Sequence, residues 1–162
     1  NLAAAGGVVA TMILTQLLYG KIDVTMALNG ALAGLVSITA EPLNPTPFLS
    51  ILIGAIGGTI VVFVVPLLDK LKLDDVVGAI PVHLCAGIWG TMIVPLTNSE
   101  ASYSVQFIGV IAYGVFTFVA SFIVWTILKL VMGVRASDEE QMMGLDKAEI
   151  GVEAYPEFSS TR

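Results

Sequence analysis

One cysteine, one histidine and few charges are the scarcities of this 162-residue chain. Each removes a class of explanation. A lone Cys85 rules out an internal disulfide and leaves no CxxC pair for redox or zinc chemistry. Set inside an apolar stretch, it reads as a small buried thiol. A lone His83 rules out HExxH spacing, and no Ser/His/Asp set or phosphate-binding glycine loop accompanies it. His83 and Cys85, two residues apart on a helix, point in different directions and make no metal site. No catalytic residue, metal or cofactor is therefore expected. With 12% charged residues, 56% apolar residues and a mean hydropathy of +0.90, the composition excludes a soluble domain.

What is present is a set of five long apolar stretches, roughly 2–19, 24–39, 48–68, 76–96 and 105–132. A hydrocarbon core about 30 Å thick needs roughly 20 apolar residues as helix. The second stretch is short and the fifth long enough to tilt or to continue past the interface. Nothing shows the close alternation of a membrane barrel, so the spans are expected to be helices. The fold class is an all-α membrane protein: a bundle of five transmembrane helices over 1–134 and a tail over 135–162.

Cations are missing from alternate gaps. Lys21 follows the first stretch, Lys70 and Lys72 the third, and Lys129 and Arg135 close the fifth. The gaps 41–47 and 97–104 hold none. Positive charge stays on the cytoplasmic side, which predicts a multi-pass plasma-membrane protein with Asn1 outside and Arg162 inside. Beyond Val134 the chain has seven acids against three bases, an acidic tail suited to protein contacts and not to nucleic acid. Residue 1 is Asn, with no basic region and no cleavage site ahead of the first stretch. The expectation is a fragment that begins inside or just before a helix.

Small residues recur within the spans: Gly30 and Gly34, Gly54 and Gly58, then Gly87 and Gly90. They let membrane helices approach closely. Asn29, the one amide of the second span, is expected to bond across to another helix. The segment 41–47, with prolines at 42, 45 and 47, is expected to be a stiff non-helical connection. Trp89 and Trp125 are expected against lipid or neighbouring helices, and Tyr19 and Tyr103 near the interfaces. Asp74 and Asp75 precede the fourth span. They suit the positive end of its dipole, or they handle cations at the cytoplasmic mouth.

His83 is the chemical candidate. Eleven residues of helix from Lys72 would carry it about 16 Å inward, near the midplane of a core about 30 Å thick. An ionisable group there is a functional candidate, and a neutral imidazole both donates and accepts a hydrogen bond. The alternative is a buried histidine bonded to a backbone carbonyl or to Asn29. Pro81, two residues before, is expected to disturb the helix where His83 projects.

Three segments carry a resemblance. Residues 29–40 (NGALAGLVSITA) resemble the signature of the ammonium transporter family (Amt/Mep/Rh). Asp74-Asp75-Val76-Val77-Gly78-Ala79-Ile80-Pro81-Val82-His83, then Gly87-Ile88-Trp89-Gly90, resembles its second pore-histidine segment. Residues 139–146 (EEQMMGLD), then Glu149, Gly151, Ala154 and Tyr155, resemble its cytoplasmic tail. The resemblance implies the last five of eleven helices, a homotrimer with one pore per subunit, and His83 as one of two pore histidines. Ala79, one turn earlier, would line the lower pore, with Asp74 and Asp75 at the cytoplasmic mouth. Ammonium or ammonia is the implied substrate. The implied regulatory tail (Gly144, Leu145, Asp146, Gly151, Ala154, Tyr155) would meet a PII-type nitrogen regulatory protein. An ammonium sensor signalling through that tail is the alternative. The chain departs from the family at Leu84 and Ile150, where glycine and histidine are usual.

Overall fold

The computed structural model describes residues 1–158, so the last four residues of the expected tail, with the Arg162 end, lie outside it. Every regular element among the described residues is a helix, and there is no strand among them. In order they form α1 (Leu2–Tyr19), α2 (Val24–Thr39), α3 (Pro47–Lys70), a π-helical turn (Ile80–Cys85) running into α4 (Ala86–Thr97), α5 (Tyr103–Val131) and α6 (Asp138–Met143). A second π turn (Asp146–Ile150) and a 3₁₀ turn (Pro156–Phe158) are the last elements among the described residues. Four helical segments are long and apolar enough to cross a membrane: Leu2–Tyr19, Pro47–Lys70, Ile80–Thr97 and Tyr103–Val131. The 16 residues of α2 give about 24 Å of helix, short of a full crossing.

Local chemistry sets the ends. Gly20 adopts φ 74° and closes α1, a left-handed cap that glycine takes without strain. Asp23 accepts from the Met26 N–H at 2.9 Å and starts α2. Thr46 accepts from the Leu49 N–H at 3.3 Å, and Pro47 opens α3, where a missing N–H costs nothing. The third proline of the connection is thus the first residue of the helix.

The chain divides into two compact units between Tyr113 and Gly114. In the first unit, α1 lies against both α2 and α3 with almost no side chain between backbones. A Cβ on Gly7 would run into the Gly30 carbonyl, one on Gly54 into the Ala3 carbonyl, and one on Gly58 into the Gly7 carbonyl. Buried hydroxyls fit this packing by bonding within their own helix. Thr11 donates to the Gly7 carbonyl at 2.9 Å, Thr15 to the Thr11 carbonyl at 2.8 Å and Ser37 to the Ala33 carbonyl at 2.7 Å. Ala33, Val61, Val82 and Ala86 form the core that joins α2, α3 and the start of α4.

The loops alternate ends. Asp23 and Asp75 line one cleft, while the Asn98 amide donates to the Glu41 carboxylate at 3.0 Å. The connections holding Lys21 and Lys72 therefore share one end, and the two gaps without cations meet at the other. No residue of α5 is buried. In the second unit Ser137 and Glu140 form a capping box around α6, with 2.7 Å from the Ser137 N–H to the Glu140 carboxylate.

Candidate functional site

The helix bearing His83 starts later than the apolar stretch that contains it. Residues 73–78 are not helical, and Lys72 sits at φ 56°. Helical structure begins at Ala79, three residues after the expected Val76. Only four residues of rise, about 6 Å, separate that start from His83. The continuous helix from Lys72 that would have set its depth does not form.

The reason is a cap made of one carboxylate and one proline. The first four N–H groups of a helix lack internal partners. Here the first helical bond runs from the Val82 N–H to the Gly78 carbonyl at 3.2 Å, which leaves the donors of residues 78–81 to be matched. The Gly78 N–H reaches the Asp75 carbonyl at 3.3 Å. The Ala79 N–H reaches Asp75 Oδ1 and the Ile80 N–H Asp75 Oδ2, each at 2.8 Å. Pro81 has no N–H to place. Pro81 therefore opens this helix and does not break it. The disturbance takes another form, a π turn over Ile80–Cys85 with the Ala86 N–H bonded to the Pro81 carbonyl. Wide turns of this kind gather at functional sites.

Within that turn the faces are divided. Pro81 and Val82 are buried, while His83 and Leu84 are exposed. Among the described residues the His83 ring has no hydrogen-bond partner, so the buried, bonded histidine is not what forms. Asn29 is engaged elsewhere: its Nδ2 donates to the Val77 carbonyl at 3.0 Å, a loop carbonyl ahead of the helix. Ala79 is exposed, one turn before His83. Asp75 is committed to backbone donors, whereas Asp74 is exposed and makes no hydrogen bond or ion pair among the described residues. The acids are thus distinct in role although adjacent.

The glycines separate as well. A Cβ at Gly30, Gly34, Gly54, Gly58 or Gly90 would meet backbone or buried side chain too closely. At Gly87 it would meet only Val36 Cγ1 at 3.7 Å, an ordinary contact, so that glycine makes no close approach to α1, α2 or α3. The Trp89 indole N–H donates to the Ile53 carbonyl at 3.1 Å and ties α4 to α3. Cys85 is half-buried, less enclosed than expected.

In the second unit the tail residues make a closed turn. Gly144 ends α6 at φ 96°, and Gly151 closes the following turn at φ 73°. Asp146 holds the loop from both sides, accepting from the Lys147 N–H and the Ala154 N–H at 2.9 Å each. These bonds, Ala154 first, hold the Asp146 carboxyl below the usual carboxylate range. Lys147 pairs with Glu153 at 2.9 Å, and that contact raises the lysine above its ordinary value. Leu145 and Tyr155 are exposed.

Residues 1–155 match the model of the Ammonium Transporter Family. The chain is 42% identical to ammonium transporter Amt2 of Archaeoglobus fulgidus, over 99% of this chain and 39% of that protein. It is 38% identical to ammonium transporter Amt1 of Haloferax mediterranei, over 98% and 32%. It therefore spans about two-fifths or less of these relatives' length. Among solved structures, one described as "Sensor Amt Protein" matches with a TM-score of 0.85 and 31% identity, over 92% of this chain and 40% of that one. Candida albicans Mep2 matches with a TM-score of 0.78 and 25% identity, over 99% and 41%. With its membrane-length apolar helices, the chain is a multi-pass membrane protein and belongs to the ammonium transporter family.

Proposed function

We propose that this chain is the carboxyl-terminal half of an ammonium transporter that conducts ammonium or ammonia across the plasma membrane, with His83 as one of two pore histidines. The observation that carries the reading is the placement of His83. The only histidine of the chain stands on the exposed face of a π turn, its ring unpaired among the described residues, directly after a helix start that Asp75 and Pro81 define. A polar ring left free on an apolar surface is available to a small polar solute. Ala79 lines the lower part of the same path, and Asp74 and Asp75 lie at its cytoplasmic mouth. The whole protein is a homotrimer with Asn1 outside, and its tail meets a PII-type regulator on the cytoplasmic side.

The test is growth of uptake-deficient cells on low ammonium with the full-length protein. Growth matching a known transporter supports the reading, and growth no better than empty vector overturns it. His83→Ala leaves assembly intact and impairs selectivity or flux. A PII protein is retained by the full chain and lost when the chain ends at Arg135.

The likeness to a structure described as a sensor gives a second reading, in which the tail signals ammonium binding. Tail-dependent signalling without measurable flux would favour it.

A further inference from the structure

We infer that Asn29 is a positioning residue for His83: from α2, its amide fixes the loop on which the histidine helix begins. The inference rests on the proposed role of His83 in the conduction path.

The Val77 carbonyl lies one residue ahead of Gly78, the first carbonyl used by the helix. No helical N–H reaches it. Asn29 supplies the donor at 3.0 Å from a different element. The neighbouring residue makes room for that amide. A Cβ on Gly78 would lie 2.7 Å from Asn29 Nδ2, and Gly78 has φ 77°, a conformation other residues adopt only with strain. The loop is thus held twice. Asp75 binds it forward to Ala79 and Ile80, and Asn29 binds it sideways to α2. Asp75 sets where the helix starts along the chain. Asn29 adds a directional tie to α2 beside the packing of Val82 with Ala33 and Val61 in the core. His83 follows one turn later, on the π segment.

The experiment uses the full-length protein, with hydrogen exchange across residues 77–86 and uptake of labelled methylammonium measured together. Asn29→Asp keeps the shape and removes the donor at neutral pH. The new carboxylate would share a cleft of about 190 Å³ with Asp23 and Asp75, whose charges oppose its ionisation. Protonation then restores an O–H donor toward Val77. Asn29→Ala removes the donor at every pH and serves where the acidic variant folds poorly.

Both variants are expected to speed exchange across 79–86 and to lower maximal uptake a few-fold near neutral pH, the scale of one exposed hydrogen bond. The KM is expected to stay unchanged. On acidification through the carboxylate range, Asn29→Asp alone recovers toward wild type. Wild-type exchange in both variants overturns the inference whatever uptake does, and so does reduced uptake without faster exchange. If exchange rises as expected but His83→Ala transports normally, the anchoring of the segment stands and the pore role of His83 falls.

Discussion

Gly7 and Gly30 bring two helices into backbone contact: a Cβ on Gly7 would run into the Gly30 carbonyl, and one on Gly30 would lie 2.8 Å from the Gly7 carbonyl. Lipid tails are as apolar as leucine, so hydrophobicity does not drive these helices together. Close packing does. A methyl group here meets backbone, which cannot rotate aside.

Gly54→Ala is the sharpest test of that packing, because the atoms nearest the added carbon all belong to the backbone of Ala3. Overpacking of this kind costs roughly 1–3 kcal/mol. The purified full-length protein is expected to melt several degrees lower and to express poorly. Unchanged melting would mean that α1 does not sit against α3 as described.

Gly87→Ala and Gly114→Ala should behave in the opposite way. Gly87 has only Val36 Cγ1 nearby, at 3.7 Å, and Gly114 has nothing within 4 Å. Each substitution exchanges a poor helix former for the best, a gain of up to about 1 kcal/mol in an exposed helix. Melting at or above the wild-type temperature is expected, and a loss like that of Gly54→Ala would contradict the division between tight and loose glycines.

Asp75→Ala removes the acceptor of the Ala79 and Ile80 N–H groups, each bonded at 2.8 Å. Loss of a helix cap costs about 0.5–2 kcal/mol. Stability and uptake should both fall, whereas Asp74→Ala, whose side chain makes no bond among the described residues, should spare stability. Equal losses from the two would show that charge at this end matters more than the cap.

The helices were legible in the sequence because membrane spans are long apolar runs. The apolar runs 2–19 and 24–39 coincide with α1 and α2, whose facing ends the structure caps with Gly20 and Asp23. The start of the His83 helix was not. Val76 and Val77 are apolar and extend the run, but hydropathy does not register that Asp75 captures the N–H groups of Ala79 and Ile80 or that Gly78 turns the chain at φ 77°. The signal was present in the spacing of Asp75, Gly78 and Pro81, as a cap reads. The bond from Asn29 to Val77 joins residues distant in the chain, and no periodicity within either segment announces it. Likewise Gly87 and Gly90 look alike in sequence, and only the position of Ser37 separates them.

The tail yields a pH prediction whose sign follows from Asp146. Its carboxylate accepts the Ala154 and Lys147 N–H groups, and these bonds lower its folded pKa. A depressed carboxylate contributes stability above its unfolded pKa, and that contribution is lost as pH falls through the folded value. Glu140, lowered by the Ser137 backbone and hydroxyl donors, acts in the same direction. The Ala154 amide should therefore be protected from exchange at neutral pH, after correction for intrinsic rates, and lose that protection only in acid below the usual carboxylate range. Asp146→Ala should abolish it at every pH. Lys147→Ala should change it little, because the pair with Glu153 is partly exposed and surface pairs contribute weakly. Protection that survives Asp146→Ala would show that Gly144 and Gly151, not the carboxylate, hold the turn closed.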